Sequence, residues 1–84
     1  MDVQPTQSAQ LSQRQKLRWY ADRLMADAAA AERNKDNDGA VAAYLKAADL
    51  LLLLGKAEED YTAWKNYADK ADYCQHRVKV LLPG

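Results

Sequence analysis

The sequence predicts an all-α protein, an antiparallel three-helix bundle. Apolar residues recur every three or four positions in three segments, which is the period of a helix with one buried face. No segment alternates with a period of two, and no window is rich in Val, Ile and Thr, so no strand is predicted. Polar turn residues separate the three segments. Connections this short make consecutive helices antiparallel neighbours.

The first helix is predicted over about 13–33, after a flexible tail over 1–11. The tail is polar, contains Pro5 and lacks periodicity. Ser12 and Gln15 have the spacing of a capping box, in which each side chain bonds a free backbone N–H at a helix start. The ordered domain therefore spans 12–82. The apolar stripe of the first helix is Leu17, Tyr20, Ala21, Leu24, Ala28 and Ala31.

The second helix is predicted over about 37–54. The turn before it, 34–39, collects four Asn and Asp residues and one glycine, a composition that supplies a helix N-cap. Gly55 then serves as the C-terminal cap. The predicted core face consists of Ala40, Ala43, Tyr44, Ala47, Leu50, Leu51 and Leu54.

The third helix is predicted over about 58–82. Glu58, Glu59 and Asp60 fall in its first turn, where the helix dipole favours carboxylates. Pro83 stops it, because proline cannot continue the hydrogen-bond ladder. Its apolar stripe is Trp64, Tyr67, Ala71, Cys74, Val78 and Leu81.

Five consecutive leucines, at 50–54, point all round the second helix, although one face suffices for a core. Leu53 is expected to contact a second helix neighbour. Leu45 and Leu52 lie furthest from the core direction, and with Val41 and Ala48 they form a second apolar strip. Such a strip beside a groove is the surface that an amphipathic partner helix uses.

Composition excludes several classes of protein. A chain of 84 residues makes one small domain with little room for an enclosed active site. Twelve basic and twelve acidic side chains cancel, so no strong overall field attracts nucleic acid or an anionic membrane, although a local patch remains open. The single Cys74 fits a reducing compartment, and no signal peptide or bilayer-spanning run is found, so a cytoplasmic location is expected.

No catalytic or metal site is predicted. The turn residues Asn34, Asp36, Asp38 and Gly39 match part of an EF-hand loop, but the position that must supply a bidentate carboxylate is Leu45. His76 lies two residues from Cys74, and this spacing puts the side chains on different faces. A phosphate-binding glycine loop is also lacking. The chain is therefore predicted to be non-enzymatic and without a cofactor.

The stretches "DNDGAVAAYLKAADLLLLL" and "YADKADYC" resemble the MIT (microtubule-interacting and trafficking) domain. The resemblance covers about 13–82 and is greatest to the N-terminal domains of vacuolar-sorting AAA ATPases and their archaeal cell-division counterparts. It implies a three-helix bundle that binds short C-terminal segments of ESCRT-III subunits. The attached ATPase is thereby recruited to membrane-remodelling filaments. Such segments lie as a helix between the second and third helices, or extended between the first and third.

The resemblance also implies two sets of partner-binding residues. The groove between the first and third helices would include Met25 and Lys70. Ala68 stands where sorting ATPases often have a larger aliphatic residue, a difference that favours the groove between the first and third helices. The groove between the second and third helices would be lined by Leu45, Ala48, Leu52, Ala68, Asp69, Asp72 and Gln75.

Several alternatives remain open from the sequence. The extra leucines could be buried by self-association, or the domain could belong to another trafficking host. Arg14, Lys16, Arg18 and Arg23 surround Trp19, a mixture that can bind nucleic acid. The spacing of Ala40, Tyr44 and Ala47 also occurs in tetratricopeptide repeats, but such proteins need about three or more repeats to bury a continuous core. The preferred expectation is a monomer that contacts no nucleic acid directly and reaches membranes only through its partners.

Overall fold

The protein is an all-α three-helix bundle. The computed structural model describes the backbone of residues 5–83 and the side chains of residues 13–83. Helix α1 spans Pro5–Arg33, α2 spans Asn37–Lys56 and α3 spans Tyr61–Leu81. No strand occurs in this part of the chain. The fold class predicted from periodicity is confirmed.

Helix α1 begins earlier than the sequence analysis predicted. It starts at Pro5, so residues 5–11 of the predicted tail are helical, and residues 1–4 lie outside the described part of the chain. Proline is favoured in the first turn of a helix because its missing N–H would be unpaired there in any case. Ser12 consequently lies inside α1 and is not its N-cap. A capping-box spacing alone did not locate the helix start.

The turn between α1 and α2 is built from main-chain hydrogen bonds and one carboxylate. The N–H of Asp36 donates to the carbonyl of Ala31 at 2.8 Å, and the N–H of Lys35 donates to the main-chain carbonyl of Glu32 at 3.0 Å. With Lys35 at φ 63°, this is a Schellman motif that ends α1. The Asp36 carboxylate then accepts from the N–H of Gly39 at 3.0 Å and caps α2, as the composition of the turn predicted.

The junction between α2 and α3 differs from the prediction at two positions. Gly55 is not a C-terminal cap, because α2 continues to Lys56 and Ala57 is the cap. A Cβ at Gly55 would lie 3.3 Å from the Cβ of Tyr67, so the missing side chain lets α3 approach closely. Asp60 is the N-cap of α3, accepting from the N–H of Ala63 at 2.9 Å. Glu58 and Glu59 therefore precede α3.

The core lies between α2 and its two neighbours. Six of its twelve members are alanines, and these small side chains let the helices pack closely. Leu51 and Leu54 are buried as predicted, whereas Leu50 is partly buried beside the core. Leu53 is 56% exposed, so the expected second neighbour does not cover it. The buried apolar side chains are Ala21, Leu24, Ala28, Ala40, Tyr44, Ala47, Ala48, Leu51, Leu54, Ala71, Cys74 and Val78.

A polar cluster ties the three helices together at one end of the bundle. The hydroxyl of Tyr44 on α2 donates to Glu32 on α1 at 2.6 Å, and Nε of Arg77 on α3 donates to the same carboxylate at 3.2 Å. Hydrogen bonds from Arg77 and Tyr44 hold the pKa of Glu32 below its usual value. Burial and the bond to Glu32 raise the pKa of Tyr44. The ring of Tyr73 packs edge-on against Tyr44 at 6.2 Å.

Candidate interaction surface

One flank of α2 faces α3, and the position of Gly55 identifies it. A Cβ at Gly55 would lie 3.3 Å from Tyr67 and 3.7 Å from Trp64, both on α3. At about 100° per residue, Leu52 and Leu45 lie about 60° to 80° round from Gly55. Both leucines therefore stand at the outer edge of the α2–α3 contact.

The outer edge of α3 is the side opposite to the residues that face α1. Lys70 and Arg77 turn towards α1, where they meet Asp22 and Glu32. At about 100° per residue, Ala68, Asp72 and Gln75 lie about 140° to 180° round α3 from that side. They consequently share the outer edge with Leu45 and Leu52. We call this surface the α2–α3 flank and define it by Leu45, Leu52, Trp64, Ala68, Asp72 and Gln75.

The α2–α3 flank is apolar in its centre and open to solvent. Leu45 is 48% exposed and Leu52 is 45% exposed. Trp64, which the sequence analysis placed in the core stripe, is 44% exposed and packs against the ring of Tyr61 at 5.7 Å. Ala48 is only 2% exposed, so its predicted role on this surface is wrong: it packs between the helices and offers a partner almost no area.

Carboxylates border the α2–α3 flank on both helices. Asp72 on α3 and Asp49 on α2 are exposed, and Asp49 lies about 40° to 60° round from the two leucines. Asp69 instead bonds Lys65 at 3.2 Å on the solvent side of α3. Asp69 and Asp72 line one depression of α3 together with Gln75, and by helical angle Asp72 is the nearer of the two carboxylates to the apolar centre. Asp49 was missed because the resemblance assigned no acidic role to α2.

A cleft lies between α1 and α3, and of the two residues predicted for a groove there, Met25 and Lys70, only Lys70 lines it. It encloses about 290 Å³, and Leu51 and Leu54 of α2 form its floor. Lys70 lines it and lies 3.8 Å from Asp22 on the opposite wall. Met25, three residues beyond Asp22 on α1, is partly buried against the core. An ion pair thus crosses this cleft, whereas the α2–α3 flank is open.

The residues considered for calcium binding and for cysteine–histidine chemistry do not form a common site. The Asp36 carboxylate of the EF-hand-like turn is used as a helix cap. Cys74 is buried, and burial raises the pKa of its thiol, whereas His76 is exposed. Within residues 13–83, no three His, Cys, Asp or Glu side chains lie close enough to hold a metal ion.

The basic and aromatic cluster on α1 does not form one surface. Arg18 lines the α1–α3 cleft, and Arg14 lies 4.0 Å from Glu58. Arg23 points the other way, with its guanidinium carbon 5.9 Å from the centre of the Trp19 ring. The side chains that the sequence grouped for nucleic acid therefore divide between two faces of the helix.

In comparisons with protein-family models, with curated proteins and with solved structures, the chain has no significant match. In the described part of the chain, no helix combines the length and the apolar character needed to cross a bilayer. The fold and the surface together define a three-helix bundle with an open apolar flank bordered by carboxylates.

Proposed function

We propose that the chain is a non-catalytic interaction module that binds an amphipathic helix of a partner on the α2–α3 flank. The observation that carries the proposal is the pair Leu45 and Leu52, each about half exposed and seven residues apart on one edge of α2. Leucines at this spacing form a continuous apolar strip two helical turns long. An amphipathic segment that lies along such a strip removes its apolar area from water.

The border of the flank selects the chemistry of the partner. Asp72 on one side and Asp49 on the other favour a segment whose leucines are flanked by Lys or Arg. The resemblance to MIT domains supplies a partner of this description, the short C-terminal motifs of ESCRT-III-type subunits. On this proposal, the module recruits an attached AAA ATPase, from the cytoplasm, to filaments in membrane remodelling or cell division.

The cleft between α1 and α3 is the second candidate for the same activity. Lys70 and Asp22 offer a charge of each sign, and the neighbouring Met25 is an adaptable apolar contact. An extended segment entering the cleft must displace the ion pair between Lys70 and Asp22. Both side chains are more than half exposed, so losing that pair costs little, about 0 to 1 kcal/mol.

Adjacent leucines offer a matched test of the α2–α3 flank. Leu52 is 45% exposed on the flank, whereas Leu53 is 56% exposed on the side of α2 turned away from α3. Leu52→Asp and Leu53→Asp make the same chemical change at two exposed positions of one helix. We expect Leu52→Asp to weaken the binding of ESCRT-III tail peptides by about tenfold or more, because it removes one apolar anchor. Leu53→Asp should leave the affinity within about twofold.

The binding measurement is a titration of the labelled chain followed by NMR. The indole N–H of Trp64 should shift on addition of peptide, whereas that of Trp19 should not. Affinity in the micromolar range is expected, because one short helix buries little area and must become ordered. No shift at high micromolar peptide would refute the proposal. Shifts confined to Asp22, Met25 and Lys70 would reassign the activity to the α1–α3 cleft.

The competing function is self-association through the same leucines. Sedimentation velocity over a range of protein concentrations separates the two functions. A monomer at every concentration agrees with a free peptide-binding flank. A stable dimer that Leu52→Asp dissociates, and that Leu53→Asp does not, would instead assign the flank to assembly.

A further inference from the structure

A second surface lies on the opposite side of the molecule, along the outer face of α1. Its members lie within about 100° of arc and about 180° round from the buried residues Ala21 and Ala28. Trp19 is 62% exposed. We call this surface the α1 outer stripe and define it by Lys16, Trp19, Arg23, Ala26, Ala30 and Arg33.

The α1 outer stripe carries one cation near each end and one near its middle. Lys16, Arg23 and Arg33 are spread over about 25 Å of helix, at a rise of about 1.5 Å per residue. Asp22 and Asp27 stand at its two edges, and they pair with Lys70 and Arg23. Lys16 and Arg33 lie beyond 4 Å of any carboxylate among residues 13–83. A protein with no net charge thus carries a local basic strip.

We propose that the α1 outer stripe binds directly to a membrane surface that contains anionic phospholipid. Lys and Arg near such a surface are attracted by its negative potential, and an indole prefers the interface between headgroups and acyl chains. The small side chains Ala26 and Ala30 lie between the cations and let the helix approach a flat surface along its length. Tyr20, 41% exposed at the edge of the stripe, adds a second amphipathic ring.

The shape of the stripe favours a membrane over nucleic acid. It is the convex side of a single helix, whereas single-stranded nucleic acid is bound in a groove that follows its backbone. The Arg23 guanidinium also lies over one face of the Trp19 ring, so a base stacking on that face would have to displace it. A helix lying flat on a bilayer needs neither a groove nor a free ring face.

The proposal is independent of peptide binding and compatible with it. The α1 outer stripe faces away from α2, whereas the α2–α3 flank lies along the edge of α2 and α3 that is turned away from α1. A molecule lying on a bilayer through α1 therefore leaves the flank accessible. Trp19 reports on the stripe and Trp64 on the flank, so failure of one activity is distinguishable from failure of the other.

Co-sedimentation of the full chain with phospholipid vesicles tests the proposal. Vesicles of phosphatidylcholine rich in phosphatidylserine should bind the chain, and phosphatidylcholine vesicles should not. Lys16→Glu combined with Arg33→Glu should lower the partition coefficient by at least about tenfold, since each cation near such a surface strengthens binding by about fivefold. Lys56→Glu combined with Lys79→Glu makes the same charge change away from the stripe and should have less than half that effect on a logarithmic scale.

Fluorescence provides the second readout. In a Trp64→Phe background, the emission of Trp19 should shift to shorter wavelength on vesicles rich in phosphatidylserine, and Trp19→Ala should lower the partition coefficient. The proposal is overturned if the two double variants bind equally, or if no variant or native chain binds at low salt. It is also overturned if a single-stranded oligonucleotide binds more tightly than the vesicles and loses binding with the stripe variant.

Discussion

Lys35 offers a sharp test of how the turn between α1 and α2 is stabilised. It is exposed and adopts φ 63°, the left-handed conformation that L-residues with a side chain adopt at a cost of roughly 1–2 kcal/mol. Lys35→Gly removes this cost. The additional freedom of glycine in the unfolded chain offsets about 0.4–1 kcal/mol of the gain. The main-chain hydrogen bonds of the turn are retained, so the expected net stabilisation is about 0.5–1 kcal/mol.

Lys35→Ala is the matched control, because it also removes the lysine side chain but keeps a Cβ in the same conformation. Urea denaturation followed by circular dichroism should give Lys35→Ala within about 0.5 kcal/mol of the native chain. The midpoint of thermal unfolding of Lys35→Gly should rise by about 2–8 °C, at about 4–8 °C per kcal/mol for a domain of this size. If glycine and alanine are equally stabilising, the gain comes from loss of the lysine, and the conformational explanation is refuted.

Two further predictions concern the interior of the bundle. The pKa of Glu32 is lowered in the folded state, so the stability it contributes is present above the unfolded value of about 4.3 and is lost as the pH falls through the folded value. Glu32→Gln should therefore be less stable at neutral pH, with urea unfolding curves that converge with the native ones in acid; a constant difference would contradict this assignment. Cys74 is buried, so alkylation should be at least about a thousandfold slower than for a free thiol until urea unfolds the chain. Rapid labelling of the folded protein would show that the core around Cys74 opens locally.

The sequence predicted the helices better than their ends. Apolar periodicity located three helices because it reports which face is buried. The start of α1 was wrong because many polar residues tolerate a helix, and local spacing at Ser12 does not show which turn is first. Gly55 was misassigned as a cap because glycine also occurs where two helices pack closely. Only the position of Tyr67 on the neighbouring helix distinguishes the two roles.

The candidate surfaces, like the helices, were predicted from the sequence in part. The exposure of Leu45 and Leu52 follows from their angle to the core face, and the sequence predicted both. Ala48 and Trp64 lie near the edges of their stripes, where a small rotation decides between core and solvent. The polar cluster was missed because Glu32 and Arg77 are 45 residues apart, and no local pattern links them.

By itself, the sequence determined the number of helices, that the turn over 34–39 supplies the N-cap of α2, and that Leu45 and Leu52 lie outside the core. These depend on local hydrogen bonding and on the helical period, which any short segment contains. Only the tertiary structure decided that Ala48 is covered, that Trp64 borders an open flank and that Lys16, Trp19 and Arg33 face away from the bundle. These depend on the rotation of each helix against its neighbours, which packing of distant residues sets.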